Sequence, residues 1–139
     1  MTHAGIRNVL SIAGSDPSGG AGIQADLKAI SAQGCYAMAA ITALTAQNTR
    51  GVTGVQLVEP DFVAEQIEAV FADVRVDAVK IGLLGSADIA AAVAAPLARH
   101  RPAHIVLAPA LGAKGGDRLP AEAASDMLKA HLPPLHTGP

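Results

Sequence analysis

Short apolar runs alternate along this chain with longer stretches whose apolar residues recur every three or four positions. "NVLSIA" (8–13), "GVQLV" (54–58), "DAVKIGLL" (77–84) and "HIVLAP" (104–109) have the length and composition of buried strands. Between them, Ile23, Leu27 and Ile30 mark one helical face, closed by Gly34. Phe62, Ile67, Val70 and Phe71 mark a second, beginning after Pro60 with Asp61 as its cap. Residues 86–99, opened by Ser86, and 120–131, with Pro120 in the first turn, read as further helices. "YAMAAITAL" (36–44) is ambiguous: alanine favours helix, but its place between Gly34 and the polar "TAQNTRG" favours a buried strand. Strands alternating with helices predict crossover units, hence an α/β fold with a mainly parallel sheet covered on both faces. No repeat or linker divides the 139 residues, so one domain is expected.

Half of the residues are hydrophobic, yet the aromatic ones are only Tyr36, Phe62 and Phe71. Small aliphatic side chains, alanine above all, must therefore fill the core. A net charge of −2 argues against nucleic acid as a partner, because such binders present strongly basic faces. Cys35 is the sole cysteine and reads as a small buried hydrophobe; with no internal disulfide to form, a reducing compartment fits. The apolar stretch "IAAAVAAPLA" (89–98) is too short to span a bilayer and contains Pro96. The residues before Asp16 are too few for a signal-peptide core. The expectation is a soluble, cytoplasmic chain with no membrane partner.

In open parallel sheets, ligands gather beyond the carboxyl ends of the strands. Four loops would reach that rim: the glycine-rich "GSDPSGGAG" (14–22), "TAQNT" (45–49), "GLLGS" (82–86) and "APALGAKGGD" (108–117). This convergence favours a small-molecule site. The glycine loop is not a phosphate P-loop, which needs Gly-x4-Gly-Lys-Ser/Thr so that its lysine reaches the terminal phosphates. Gly20, Gly22 and Ala25 fit a dinucleotide fingerprint, but that motif needs a ribose-binding acid about 20 residues on, and the corresponding region has none. Two readings stay open for the glycines: close approach of a ligand at a helix N-terminus, with Gly19 and Gly20 as candidate hinges, or an elaborate turn with ordinary capping.

"IAGSDPSGGAGIQADLKAISAQG" followed by "ITALTAQNTRGV" resembles the hydroxymethylpyrimidine/phosphomethylpyrimidine kinases of thiamine biosynthesis, in the ribokinase-like superfamily. "DAVKIGLLGS" and "AKGGDRL" are similar to later segments of that family, in the same order. The resemblance implies a three-layer ribokinase-like fold and phosphorylation of 4-amino-5-hydroxymethyl-2-methylpyrimidine, then of its monophosphate, by ATP with Mg2+. It implies a homo-oligomer, commonly a dimer. It places Gln47 on the aminopyrimidine, where an amide both donates and accepts. It places Asp26 near the hydroxymethyl and amino groups, Gly14 along the pocket through its backbone, and Thr45 and Leu83 as pocket walls. Lys80 is a candidate phosphate contact, and Asp16 a turn acid. A pyridoxal-type kinase is the sibling reading, and a non-catalytic pyrimidine binder or an inactive remnant the alternatives.

Two departures accompany the resemblance. Family members usually carry Leu-Asp-Pro at the end of the last strand, where this chain has Leu107, Ala108 and Pro109. Ala108 cannot position a cation, so no metal ligand is assigned. Family members also continue into a carboxyl-terminal half that supplies most of the ATP site and the catalytic base. The chain thus reads as a single incomplete domain over 1–139, the substrate-side half, without a catalytic base of its own. A sheet cut at that side would associate through its exposed edge.

Overall fold

The computed structural model describes residues 5–108 and 136–137. Five strands form the central sheet: β1 (Asn8–Ala13), β2 (Tyr36–Ile41), β5 (Ala78–Ile81), β6 (His104–Leu107) and β7 (His136–Thr137). Their order is β2-β1-β5-β6-β7, and every neighbouring pair runs parallel. Three helices accompany them: α1 (Gly22–Ala32), α2 (Pro60–Asp73) and α3 (Ala87–His100). The alternation read from the sequence is therefore the architecture. The expected helix over 120–131 lies outside the described residues.

Strand register sorts the two faces of the sheet. Leu10, Val79 and Ile105 lie in one row across β1, β5 and β6; Ile12, Ile81 and Leu107 form the next. All six are buried in one cluster with Val63 and Ile67 of α2 and Ile89, Val93 and Leu97 of α3. Because side chains alternate along a strand, Ser11 and Lys80 point to the opposite face, where they meet Asp26 of α1. So α2 and α3 cover one face and α1 the other, the three layers expected.

Helix termini follow local chemistry. Ser86 caps α3 by accepting from the Ile89 N–H at 3.1 Å. After α1, Gly34 at φ 81° takes the left-handed conformation that ends the helix. Asp61 does not cap α2. Pro60 already occupies the first helical position, which puts the cap at Glu59 and Asp61 within the first turn.

The principal correction concerns 36–58. The stretch 36–44 is neither a helix nor one strand: β2 ends at Ile41, and after Thr42 the chain begins β3 (Ala43–Asn48). That strand turns back as β4 (Gly51–Leu57), forming a separate two-stranded antiparallel sheet. "TAQNT" is thus the arm and tip of a hairpin and not a loop after a strand, and "GVQLV" belongs to the hairpin and not to the parallel sheet. Gln66 of α2 fixes the departure point: its amide accepts from the Ile41 N–H (2.9 Å) and donates to the Ile41 carbonyl (3.0 Å). Both backbone groups of the last β2 residue are satisfied by one side chain. Among the described residues no helix is long and apolar enough to cross a membrane.

Candidate functional site

The glycine loop after β1 is organised by Asp16, which is buried although acidic. Its carboxylate accepts from the Ser18 N–H (2.9 Å), the Ser18 hydroxyl (2.7 Å) and the Gly20 N–H (3.0 Å). Its own N–H donates to Gln24 Oε1 at 2.8 Å. These donors, the Ser18 hydroxyl foremost, hold the Asp16 carboxyl below the usual carboxylate range against the opposing effect of desolvation. Asp16 is therefore a turn acid, as the Asp-Pro sequence suggests. Of the two hinge candidates, Gly19 takes φ 84°, and Lys28 Nζ donates to its carbonyl at 2.9 Å. Gly20 carries the backbone N–H bonded to Asp16.

Two residues that the sequence reading missed bring three segments together. Ser15 joins the glycine loop to the hairpin: its N–H donates to the Ala43 carbonyl (2.9 Å), its Oγ accepts from the Thr45 N–H (3.1 Å), and its carbonyl accepts from the Thr45 hydroxyl (2.8 Å). Thr42, fully buried, joins the hairpin to the segment after β5 by donating its hydroxyl to the Leu83 carbonyl at 2.7 Å. The Thr42 N–H donates to Ala13, and its carbonyl accepts from Val58. Buried hydroxyls between an apolar strand and a polar hairpin were the available signal. Their partners depend on register, which single-sequence periodicity does not supply.

Around this junction stand most of the expected site residues. Gly14 lies between Leu83 and Ala43: a Cβ there would be 3.4 Å from Leu83 Cδ2 and 3.5 Å from the Ala43 carbonyl oxygen. Thr45 Oγ1 is 3.2 Å from Gln47 Oε1, on the same hairpin arm and two residues away. Gly14, Thr45, Leu83 and Gln47 are thereby brought to one end of the sheet. Asp26 and Lys80 lie on the α1 face of the sheet and pair with each other, Lys80 Nζ to Asp26 Oδ2 at 2.8 Å. That pairing gives Lys80 a partner that needs no ligand. Ala108 continues past β6 with its N–H on the Ile81 carbonyl at 2.9 Å. Of the fourth expected rim loop, residues 109–117 lie outside the described residues.

An apolar wall, a backbone without side chain at Gly14 and an amide at Gln47 can hold a flat heterocycle that bears both donors and acceptors. Magnesium is a different matter. Among the described residues no three carboxylate, imidazole or thiol groups gather as metal ligands. The described residues do not fit a metal centre.

Known proteins share this fold. The phosphomethylpyrimidine kinase family profile matches residues 16–137. The hydroxymethylpyrimidine/phosphomethylpyrimidine kinase of Salmonella typhimurium is 54% identical over 127 residues, covering 91% of this chain and 48% of that protein. Among solved structures, the phosphomethylpyrimidine kinase of Clostridium difficile superposes with a TM-score of 0.77 at 46% identity, covering 88% of this chain and 54% of that one. The pyridoxal kinase of Staphylococcus aureus in complex with AMP-PCP and pyridoxal gives 0.72 at 27% identity, covering 91% and 44%. The chain spans about half the length of the curated relatives it matches. With the profile extending from the buried Asp16 through the hairpin to β7, the chain belongs to the phosphomethylpyrimidine kinase family.

Proposed function

We propose that this chain forms the aminopyrimidine-binding part of a kinase that phosphorylates 4-amino-5-hydroxymethyl-2-methylpyrimidine and its monophosphate, with Mg-ATP as donor, in cytoplasmic thiamine biosynthesis. The observation that carries the reading is the hydrogen-bonded junction of Ser15 and Thr42, which gathers Gly14, Leu83 and the Gln47 arm at one end of the sheet. In this reading Gln47 pairs with the ring nitrogen and exocyclic amine, Gly14 admits the ring against its backbone, and Thr45 and Leu83 form the walls. Asp26 meets the hydroxymethyl side. Phosphoryl transfer depends on positioning and on stabilisation of developing charge. The described residues address the first of these, the acceptor's position.

One observation favours a second reading, a pyrimidine binder without turnover. Ala108 occupies the strand end where an acid is expected, and a methyl group cannot attract a cation. Self-association belongs to both readings. It is supported by Val55 (37% exposed) and Leu57 (49%), apolar side chains on one face of β4 left open to solvent. Sedimentation velocity at micromolar concentration tests it, with a monodisperse monomer as the contrary result.

Calorimetry with the aminopyrimidine and, separately, with Mg-ATP tests the function. Release of ADP supports the kinase. Heat with the pyrimidine but not the nucleotide supports the binder, and heat with neither removes both readings. Gln47→Ala should abolish pyrimidine binding, and unchanged affinity would take Gln47 out of the site.

A further inference from the structure

Ser11 and Lys80 are direct partners in the β1–β5 register, side by side on the α1 face of the sheet. Both reach the carboxylate of Asp26, and both reach the same oxygen. Ser11 Oγ donates to Oδ2 at 2.7 Å and Lys80 Nζ at 2.8 Å. Among the described residues nothing hydrogen-bonds Oδ1. Ser11 is wholly buried, while the Lys80 and Asp26 side chains retain 28% and 19% exposure, so the pair opens to solvent on one side.

Gly82, two residues beyond Lys80, leaves room beside the ammonium. A Cβ there would stand 3.1 Å from Lys80 Nζ and 3.0 Å from the Ala13 Cβ, tighter than side chains normally pack. A side chain at position 82 would thus press on the ammonium and on the Ala13 methyl group, and one of them would have to shift by a few tenths of an ångström.

From this arrangement we infer that Ser11 and Lys80 are positioning residues that commit Asp26 Oδ2 and turn Oδ1 toward the ligand as an acceptor for a neutral hydroxyl. This rests on the pyrimidine-site reading and deepens it by naming what selects the hydroxymethyl group. A carboxylate fixed through one oxygen presents the other in a set direction, so a hydroxyl loses less freedom in meeting it. The lysine cancels the charge of the aspartate locally, so the subsite attracts a dipolar O–H and gives no advantage to a cation. A hydroxyl suits an acceptor-only oxygen beside a neutralised charge, and an ammonium suits an unneutralised one.

The test compares three ligands on the full 139-residue chain by calorimetry: the 5-hydroxymethyl aminopyrimidine, its 5-methyl analogue and its 5-aminomethyl analogue. The wild-type chain should prefer hydroxymethyl over methyl by roughly tenfold or more, the usual weight of a hydrogen bond to a charged acceptor. In Ser11→Ala that ratio should collapse toward unity while affinity for the methyl analogue stays. In Lys80→Met the preference should pass to the aminomethyl ligand, whose cation then meets an uncancelled carboxylate. A merely structural role predicts instead that all three affinities fall together with their ratios kept, and that result overturns the inference. Wild-type binding with no hydroxymethyl preference overturns it equally. No heat with any ligand on the wild-type chain removes the pyrimidine site, and this inference with it. Should Lys80→Met fail to fold, the nearly isosteric Ser11→Ala decides alone.

Discussion

Gly22 stands so close to Gly14 that a Cβ on it would lie 2.3 Å from the Gly14 carbonyl oxygen. That same oxygen accepts the Ile23 N–H at 2.9 Å, so the start of α1 is docked on the end of β1 through backbone alone. Gly22 also takes φ 57°, a conformation that L side chains resist. Gly22→Ala should therefore cost about 3 kcal/mol, combining left-handed strain with the forced separation of helix and strand. Urea unfolding measures it. A loss below about 1 kcal/mol would mean that the loop relaxes without consequence.

Gly14 itself should behave in the opposite way. Its φ is not positive, and a Cβ would meet Leu83 and Ala43 at 3.4 Å or more, ordinary contact distances. Gly14→Ala is expected to change stability by less than about 1 kcal/mol while lowering pyrimidine affinity roughly tenfold, because the methyl group takes ligand space. Paired calorimetry and urea melts separate the two effects. A variant that binds normally would remove Gly14 from the pocket, and one that unfolds would show that Leu83 and Ala43 leave no room for a methyl group.

Gln66 offers a third test, on the hairpin's foundation. Gln66→Met keeps the side chain's length but leaves the Ile41 N–H and carbonyl without their partner. Stranding two backbone groups should cost about 2 kcal/mol, and amide exchange at 41–45 should quicken as the hairpin loosens from α2. Unchanged exchange there would show that the Ser15 and Thr42 bonds anchor the hairpin without Gln66.

The parallel layers were legible because burial writes itself into sequence as period. Leu10 and Ile12, or Val79 and Ile81, are spaced for one face of a strand, and Ile89, Val93 and Leu97 for one face of a helix. Ser86 announced its helix by chemistry alone. Of the hairpin, the β4 arm showed as "GVQLV" but the β3 arm did not: along β3 only Ala43 is buried, and Thr45, Ala46 and Gln47 read as a polar turn. Its ladder is made of backbone bonds, to which side-chain period is blind. The link between Ser11 and Asp26 was hidden for a related reason, since fifteen positions separate two residues joined only by the docking of a helix over a strand. Gln47 and Asp26 were named through family resemblance, and nothing in period or composition singled them out.

Acid should weaken the fold. Asp77 precedes β5, and its carboxyl is held below the usual carboxylate range first by Arg75 and then by the Asn8 N–H, which donates to it at 2.7 Å. A carboxyl whose folded value is depressed binds protons less readily folded than unfolded. Its contribution is therefore complete above the ordinary carboxylate range and disappears as pH falls through the lower folded value. Asp16 and Glu68 are shifted the same way, Asp16 by Ser18 and Glu68 by His100 and then Arg99, so all three should act together below about pH 4. Asp77→Asn keeps an acceptor for Asn8 but loses the charge that Arg75 meets. It should cost about 1–2 kcal/mol at pH 7, and the gap from wild type should close as pH approaches about 2. Urea melts across that range measure it; a gap that stays constant with pH would show that Asp77 acts through shape and not through charge.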